Sequence, residues 1–120
     1  MKKFMSSIGF AVKGIKYALI TESNIRLQLF VFILVMVASM FLSISRADFL
    51  VILLVAAIVF ALELTNTAIE RLADKVSPEH DEQIAIVKDL MAGAVLVFSI
   101  FAIAIGFFIF IQPLQKLLLQ

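Results

Sequence analysis

The sequence of 120 residues contains no cysteine, no tryptophan and only one histidine. Without cysteine the chain can form neither a disulfide scaffold nor a thiolate metal site, and it has no thiol nucleophile. A single histidine excludes a metal site built from several histidines of one chain. Charged residues are scarce too, at 16% of the sequence, and the formal net charge of +1 gives no indication of a nucleic-acid partner.

Hydrophobic residues, by contrast, make up 63% of the sequence, and the mean hydropathy is +1.14. The usual apolar share of a soluble domain is about 45–50%. A soluble domain of this size could not cover so much apolar surface. We therefore predict an all-α membrane protein in which residues 1–120 form a single domain.

Three long apolar segments predict membrane-spanning helices over residues 27–44, 49–76 and 90–111. A shorter segment, residues 4–20, places its apolar side chains on one helical stripe, which predicts an amphipathic helix lying on the membrane surface. The expected order is therefore one surface helix followed by three spans.

Local signals predict where the second and third spans begin and end. Ser45 with Asp48 three residues later has the form of a capping box, so the second helix should start near Arg46 and, by its length, extend past the bilayer or tilt. Ser77 followed by a proline predicts the end of the second helix and is also a good N-cap for the next. Pro113 should end the third span and leave a short tail.

Lysine and arginine are distributed unevenly about the predicted spans. Eight of the ten lie in the N-terminal segment or in the loop of residues 71–88, and the other two are Arg46 and Lys116. By the positive-inside rule, the N-terminus and the 71–88 loop are predicted to be cytoplasmic. The eight residues are Lys2, Lys3, Lys13, Lys16, Arg26, Arg71, Lys75 and Lys88.

A polar stripe follows directly on the apolar residues 49–62 of the second predicted span. Positions 63, 66, 67, 70 and 74 share one helical face by their spacing. They are occupied by Glu63, Asn66, Thr67, Glu70 and Asp74. Ionisable groups at membrane depth are costly and usually functional, so this stripe is predicted to form a site, with Glu63 deepest in the membrane.

The carboxylates near the predicted cytoplasmic face are hard oxygen ligands with a few lysines and arginines beside them. Such a set suits Mg²⁺, which takes one or two protein carboxylates and completes its shell with water and phosphate oxygens. Mg²⁺ beside lysine indicates a nucleoside triphosphate, and Glu63 could act as a base on a hydroxyl. The sequence has neither a Walker lysine loop nor a glycine-rich fingerprint, so phosphoryl transfer is one interpretation among several.

Other interpretations of the same residues remain open. The intramembrane carboxylates could belong to a proton- or cation-conducting protein, although the third span has almost no polar residues. Glu63 and Asn66 could instead only join helices in a structural membrane subunit. At the level of pairs, Glu70 could form a salt bridge with Arg71 or Lys75.

Three motifs together resemble a known family. Two of them are Glu63-x-x-Asn66-Thr-Ala-Ile-Glu70-x-x-x-Asp74 and Lys88-Asp89-x-x-Ala-Gly-Ala-Val, and the third, before the first span, is Glu22-x-Asn24-x-Arg26. They resemble the small prokaryotic diacylglycerol kinases, a family that includes the undecaprenol kinases, and the resemblance covers nearly the whole chain. It implies a homotrimer in the bacterial cytoplasmic membrane, with active sites shared between subunits. The implied reaction transfers the γ-phosphate of MgATP to a lipid hydroxyl.

The resemblance also implies a role for each matching residue. Glu63 matches the general base, and Glu22 and Glu70 match the pair that binds Mg²⁺. Arg26 matches a position near the lipid headgroup, where Glu63 would also meet the lipid. The residues that match the nucleotide site are Glu22, Asn66, Glu70, Glu79, His80, Asp81, Lys88 and Asp89.

A few positions match the family less closely. Lys3 stands where some members carry an arginine near the nucleotide, and Phe10 stands where some carry a tyrosine. Asp74 belongs to the stripe without a defined role. Gln28 replaces a glutamate that is common in the branch using diacylglycerol, and the motifs as a whole are closer to the undecaprenol kinase branch.

Overall fold

Four α-helices make up the structure, a computed structural model that describes residues 2–77 and 81–119. They are α1 (Lys2–Thr21), α2 (Ser23–Phe41), α3 (Arg46–Val76) and α4 (Glu82–Leu118). Helices α2, α3 and α4 are each long and apolar enough to span a membrane, which confirms the predicted all-α architecture with three helices able to span. Two of the predicted site residues, Glu79 and His80, lie outside the described residues, as does the side chain of Lys3.

Helix α3 begins where the capping box predicted it would. The Ser45 hydroxyl oxygen accepts a hydrogen bond from the Asp48 backbone N–H at 3.1 Å, and the hydroxyl donates to Asp48 Oδ2 at 2.7 Å. The helix has 31 residues. At 1.5 Å per residue it is about 46 Å long, whereas the hydrocarbon layer is about 30 Å thick. An α3 that crosses the membrane therefore extends beyond it or tilts.

Helix α2 ends at Phe41, before the predicted boundary at residue 44. Ser43 adopts φ = 48°, in the left-handed region where glycine is the usual residue. The Ser43 N–H donates to the Met40 carbonyl and the Ile44 N–H donates to the Ser39 carbonyl, both at 3.4 Å. These two bonds close a Schellman motif that stops the helix. The prediction was wrong here because apolar composition says nothing about backbone handedness.

The beginning of α4 also differs from the prediction. Ser77 ends α3 as predicted, as its C-cap, with its N–H donating to the Ala73 carbonyl, but it is not the N-cap of α4. The N-cap of α4 is Asp81, whose Oδ1 accepts hydrogen bonds from the backbone N–H groups of Gln83 at 2.8 Å and Ile84 at 3.1 Å. An aspartate can accept hydrogen bonds from two N–H groups that have no partner within the helix. Its negative charge also suits the positive end of the helix dipole.

Pro113 does not end α4, contrary to the prediction. The helix continues through it to Leu118. Proline removes the N–H that would bond to the carbonyl four residues earlier. Unwinding a helix in lipid exposes further backbone groups with no water to bond them, so membrane helices tolerate proline better than soluble ones do.

The four helices pack with almost no apolar core. Helix α3 lies against α4 and α2, and α1 lies against α2 and α3. Within residues 2–77 and 81–119, the buried apolar residues are Ala18, Ile25, Ile52 and Ala73, and the buried polar residues are Ser39, Glu63, Asn66 and Thr67. The described part of α4 has no buried residue at all. Polar residues inside and apolar residues outside are the arrangement expected where lipid or further subunits cover the surface.

The Ser45 cap predicts a measurable loss of stability. Replacing Ser45 by alanine removes the acceptor for the Asp48 N–H and should lower the free energy of unfolding by about 1 kcal/mol. Ser45→Asn keeps an acceptor at the same place and should lose much less. Unfolding titrations with denaturing detergent in mixed micelles measure the difference. Equal stability of the alanine and asparagine variants would contradict the capping role.

Candidate functional site

The polar stripe of α3 becomes steadily more exposed along the helix. Glu63 is 4% exposed and Asn66 is 7% exposed, Glu70 is half-buried, and Asp74 lies in the open. Measured from Phe49, the first apolar residue of the span, Glu63 lies about 21 Å along the helix and Asp74 about 38 Å. An upright α3 with Phe49 at one boundary of a hydrocarbon layer about 30 Å thick would hold Glu63 within the layer and carry Asp74 beyond it.

Glu63 is held by a residue of another helix. Gln28 Nε2 on α2 donates a hydrogen bond to Glu63 Oε2 at 3.2 Å. A carboxylate that is removed from water needs such a donor, because its desolvation is otherwise uncompensated. The sequence marked Gln28 only as a departure from a family pattern and missed this contact. The available signal was a lone amide within an apolar span, at a depth where polar side chains usually have a partner.

A second amide holds the next carboxylate along the stripe. Asn66 Nδ2 donates a hydrogen bond to Glu70 Oε1 at 3.3 Å. This contact takes the place of the salt bridge to Arg71 or Lys75 that the sequence had left open for Glu70. Asn66 Oδ1 is buried and has no hydrogen-bond partner among the described residues. An unpartnered buried acceptor is costly and invites a donor or a cation from outside the chain.

The junction between α1 and α2 is tied to the same region of α3. Glu22 is the one residue between the two helices, with extended backbone, and its Oε1 accepts a hydrogen bond from Arg71 at 2.6 Å. The Thr21 hydroxyl lies 3.2 Å from the same oxygen, and the Arg71 guanidinium lies 5.7 Å from the centre of the Tyr17 ring. The hydrogen bond from Arg71 lowers the pKa of Glu22 below its usual value, so this carboxylate is ionised at neutral pH. Glu22 is thereby tied to Arg71, the residue that follows Glu70 on α3.

The three carboxylates predicted to act as base or metal ligands share one feature. Each has one oxygen held by an N–H donor, from Gln28 to Glu63, from Asn66 to Glu70 and from Arg71 to Glu22. Within the described residues, the structure gives the other oxygen of each no hydrogen bond. A carboxylate with one oxygen fixed and one free is oriented and still able to bind a proton or a cation.

The neighbouring residues Lys88 and Asp89 on α4 have different surroundings. Lys88 Nζ lies 2.9 Å from Asp74 Oδ1, which gives Asp74 a partner that spacing along one helix could not predict. Asp89 is exposed and borders an open groove of about 860 Å³ between α3 and α4. Leu62, the neighbour of Glu63, lines the same groove together with Phe101.

The remaining predicted site residues that are described have other contacts. The Arg26 guanidinium donates to the carbonyls of Leu19 at 3.1 Å and Ile20 at 2.9 Å, so it caps the last turn of α1. Phe10 is exposed on α1, with Lys13 Nζ 5.7 Å from the centre of its ring. One carboxylate oxygen of Asp81 is used in capping α4. No group of three or more acidic, histidine or cysteine side chains that could hold a metal ion occurs in the described part of the chain.

Comparison with known proteins matches residues 9–110 to the family described as prokaryotic diacylglycerol kinase. The chain is 34% identical over 113 residues to a diacylglycerol kinase of Synechocystis sp., which covers 93% of this chain and 65% of that protein. It is 32% identical over 114 residues to the undecaprenol kinase of Bacillus subtilis, covering 95% of this chain and 93% of the relative. With the diacylglycerol kinase of Escherichia coli it shares 26% identity over 101 residues, 84% of this chain and 83% of that protein. The chain belongs to the prokaryotic diacylglycerol kinase family.

Proposed function

We propose that the protein transfers the γ-phosphate of ATP to the hydroxyl of a membrane lipid alcohol, with undecaprenol favoured over diacylglycerol. The observation that supports this most strongly is Glu63, a carboxylate that is 4% exposed at the end of an apolar run and has one oxygen held by an amide. A carboxylate kept at that depth is rarely there for packing. The preference for undecaprenol rests on the motifs and on the match to the Bacillus subtilis undecaprenol kinase, which extends over nearly the full length of both chains.

Glu63 acts as the general base in this proposal. Its free oxygen takes the proton of the lipid hydroxyl while the hydroxyl oxygen forms a bond to the γ-phosphorus of ATP. The bond from that phosphorus to the oxygen of the β-phosphate breaks, and ADP leaves. Because a lipid alcohol cannot leave the bilayer without exposing its hydrocarbon, its hydroxyl has to meet the base near the membrane boundary, where the stripe lies.

Glu22 and Glu70 would hold the Mg²⁺ that the family implies. Both carboxylates have one oxygen without a partner among the described residues, and the buried Oδ1 of Asn66 is an unused acceptor close to Glu70. Mg²⁺ takes few protein carboxylates and fills its shell with water and phosphate oxygens, so two carboxylates without a third fit this ion. When bound, the ion would neutralise charge on the triphosphate.

The nucleotide would lie on the exposed side of the stripe. Lys88 offers the positive charge that a triphosphate needs there, in exchange for its present partner Asp74. Asn66, whose Oδ1 is buried, would act on the nucleotide through the Mg²⁺ beside Glu70. Asp89 borders the groove next to Lys88. The loop residues that complete this proposed contact set are Glu79, His80 and Asp81.

The membrane setting completes the proposal. Residues 1–120 act as a single domain in the bacterial cytoplasmic membrane, with the N-terminus and the 71–88 loop in the cytoplasm, where ATP is available. Helix α1 lies on that surface, where Arg26 is near the lipid headgroup. Three copies form a homotrimer with shared sites, which would cover the apolar surface of α4 that a single chain leaves exposed.

The purified protein in mixed micelles with undecaprenol, ATP and Mg²⁺ is expected to form a lipid phosphate. Omitting Mg²⁺ should abolish the reaction, because the triphosphate charge is then not neutralised. In a competition between undecaprenol and diacylglycerol, labelled phosphate from the γ-position should appear mainly on undecaprenol. If neither lipid is phosphorylated in Mg²⁺, the proposed function is wrong, and a preference for diacylglycerol would reverse the substrate assignment alone.

Glu63→Gln should lower turnover by about a hundredfold or more, because an amide cannot take the proton. Equilibrium binding of ATP should change little, because Glu63 lies on the lipid side of the nucleotide. Glu82→Gln is the matched control, since Glu82 is an exposed glutamate in the first turn of α4. Wild-type turnover in Glu63→Gln would remove Glu63 from the role of base.

A further inference from the structure

The contact between Gln28 and Glu63 has a defined direction. The amide faces Glu63 Oε2 with its NH₂ group, which can only donate, and the carboxylate oxygen accepts. This fixes the orientation of the Gln28 side chain and turns its carbonyl oxygen away from Glu63. Of the two oxygens of Glu63, Oε2 is therefore held, and Oε1 has no hydrogen bond from the described residues.

Gln28 is a poor choice if its only task is packing between α2 and α3. Its Oε1 is buried and has no partner among the described residues. A buried acceptor without a donor costs free energy, whereas a hydrocarbon side chain of the same length would cost none. The neighbouring side chains Leu27, Leu29 and Phe30 are apolar and exposed, as expected on a lipid-facing helix. Residues that break the local pattern at a stability cost are commonly found at functional sites.

We propose that Gln28 is the positioning residue for the base. By holding Oε2 it restricts the three side-chain torsions of Glu63 and keeps Oε1 directed at the hydroxyl of the lipid. Small errors in the placement of a base reduce the rate steeply, so a fixed carboxylate is worth more than a mobile one. The role rests on the proposed function of Glu63 as the general base and assigns Gln28 no direct contact with the substrate.

Gln28 also has a simpler possible role, as a polar bridge that only joins two membrane helices. Interhelical hydrogen bonds of this kind are common and add modest stability. The two roles predict different kinetics. Loss of a bridge lowers the stability of the fold and impairs binding and turnover together. Loss of a positioning contact lowers kcat and leaves the KM values for ATP and lipid almost unchanged.

Three variants separate these roles. Gln28→Met keeps the length of the side chain and removes the donor, and it should lower kcat roughly tenfold with both KM values within about twofold of the wild type. Gln28→His supplies a ring N–H at a similar reach and should recover most of the lost turnover, to within about threefold of the wild type. Gln115→Met makes the same exchange at an exposed position near the far end of α4 and should leave kcat unchanged.

The outcomes also distinguish this inference from the proposed function. A wild-type protein that phosphorylates no lipid, or a fully active Glu63→Gln variant, removes the base and with it the role of Gln28. If Glu63→Gln is inactive but Gln28→Met keeps the wild-type kcat, only the role of Gln28 is refuted. A Gln28→Met variant with raised KM values and a lower unfolding midpoint shows a structural bridge. A Gln28→His variant as slow as Gln28→Met refutes the need for an N–H donor.

Discussion

A carboxylate at the end of an apolar run in a membrane helix must be given a hydrogen-bond donor, and Gln28 supplies that donor to Glu63. An arginine or lysine in its place would attract the carboxylate more strongly. It would also bring a second charge to a depth where desolvation is costly. A neutral amide satisfies one oxygen and leaves the other able to take a proton. The position of α2 against α3 at this depth is therefore linked to the chemistry that Glu63 can perform.

The partners of the carboxylates change from neutral to charged as exposure increases. Glu63 and Glu70 are held by the amides of Gln28 and Asn66. The Arg71–Glu22 and Lys88–Asp74 ion pairs follow on the more exposed side. Burying an ion pair requires the desolvation of two charges, which a neutral amide avoids. Exposed pairs cost little and contribute only about 0–1 kcal/mol each, so the proposed triphosphate and metal ion could replace them at a small cost in free energy.

Sequence patterns predicted the elements that depend on periodicity and composition. The three apolar helices, the stripe on one face of α3 and its capping box at Ser45 all follow from residue spacing, and all are present. The helix ends that were predicted wrongly depend on the backbone conformation of single residues. Ser43 adopts a left-handed conformation, and Pro113 is accommodated within α4. The mean hydropathy of a segment predicts neither feature.

The contacts across helices were the least predictable part of the site. Glu22 meets Arg71 over a separation of 49 residues, and Gln28 meets Glu63 over 35. Spacing along one helix reveals only neighbours three or four residues apart, such as Asn66 and Glu70. The acidic residues could therefore be predicted from the sequence. The donors that orient them could be identified only from the packing of α2, α3 and the α1–α2 junction.

The proposed reaction depends on the position of one carboxylate oxygen of Glu63, and shortening that side chain tests the position directly. Glu63→Asp keeps the charge and withdraws the carboxylate by about one carbon–carbon bond, away from both Gln28 and the lipid hydroxyl. The measurement is the rate of γ-phosphate transfer to lipid at saturating ATP and lipid. A misplacement of this size should lower that rate by roughly a hundredfold while the KM for ATP stays near its wild-type value. Transfer at the wild-type rate would show that the placement of Glu63 does not govern the reaction.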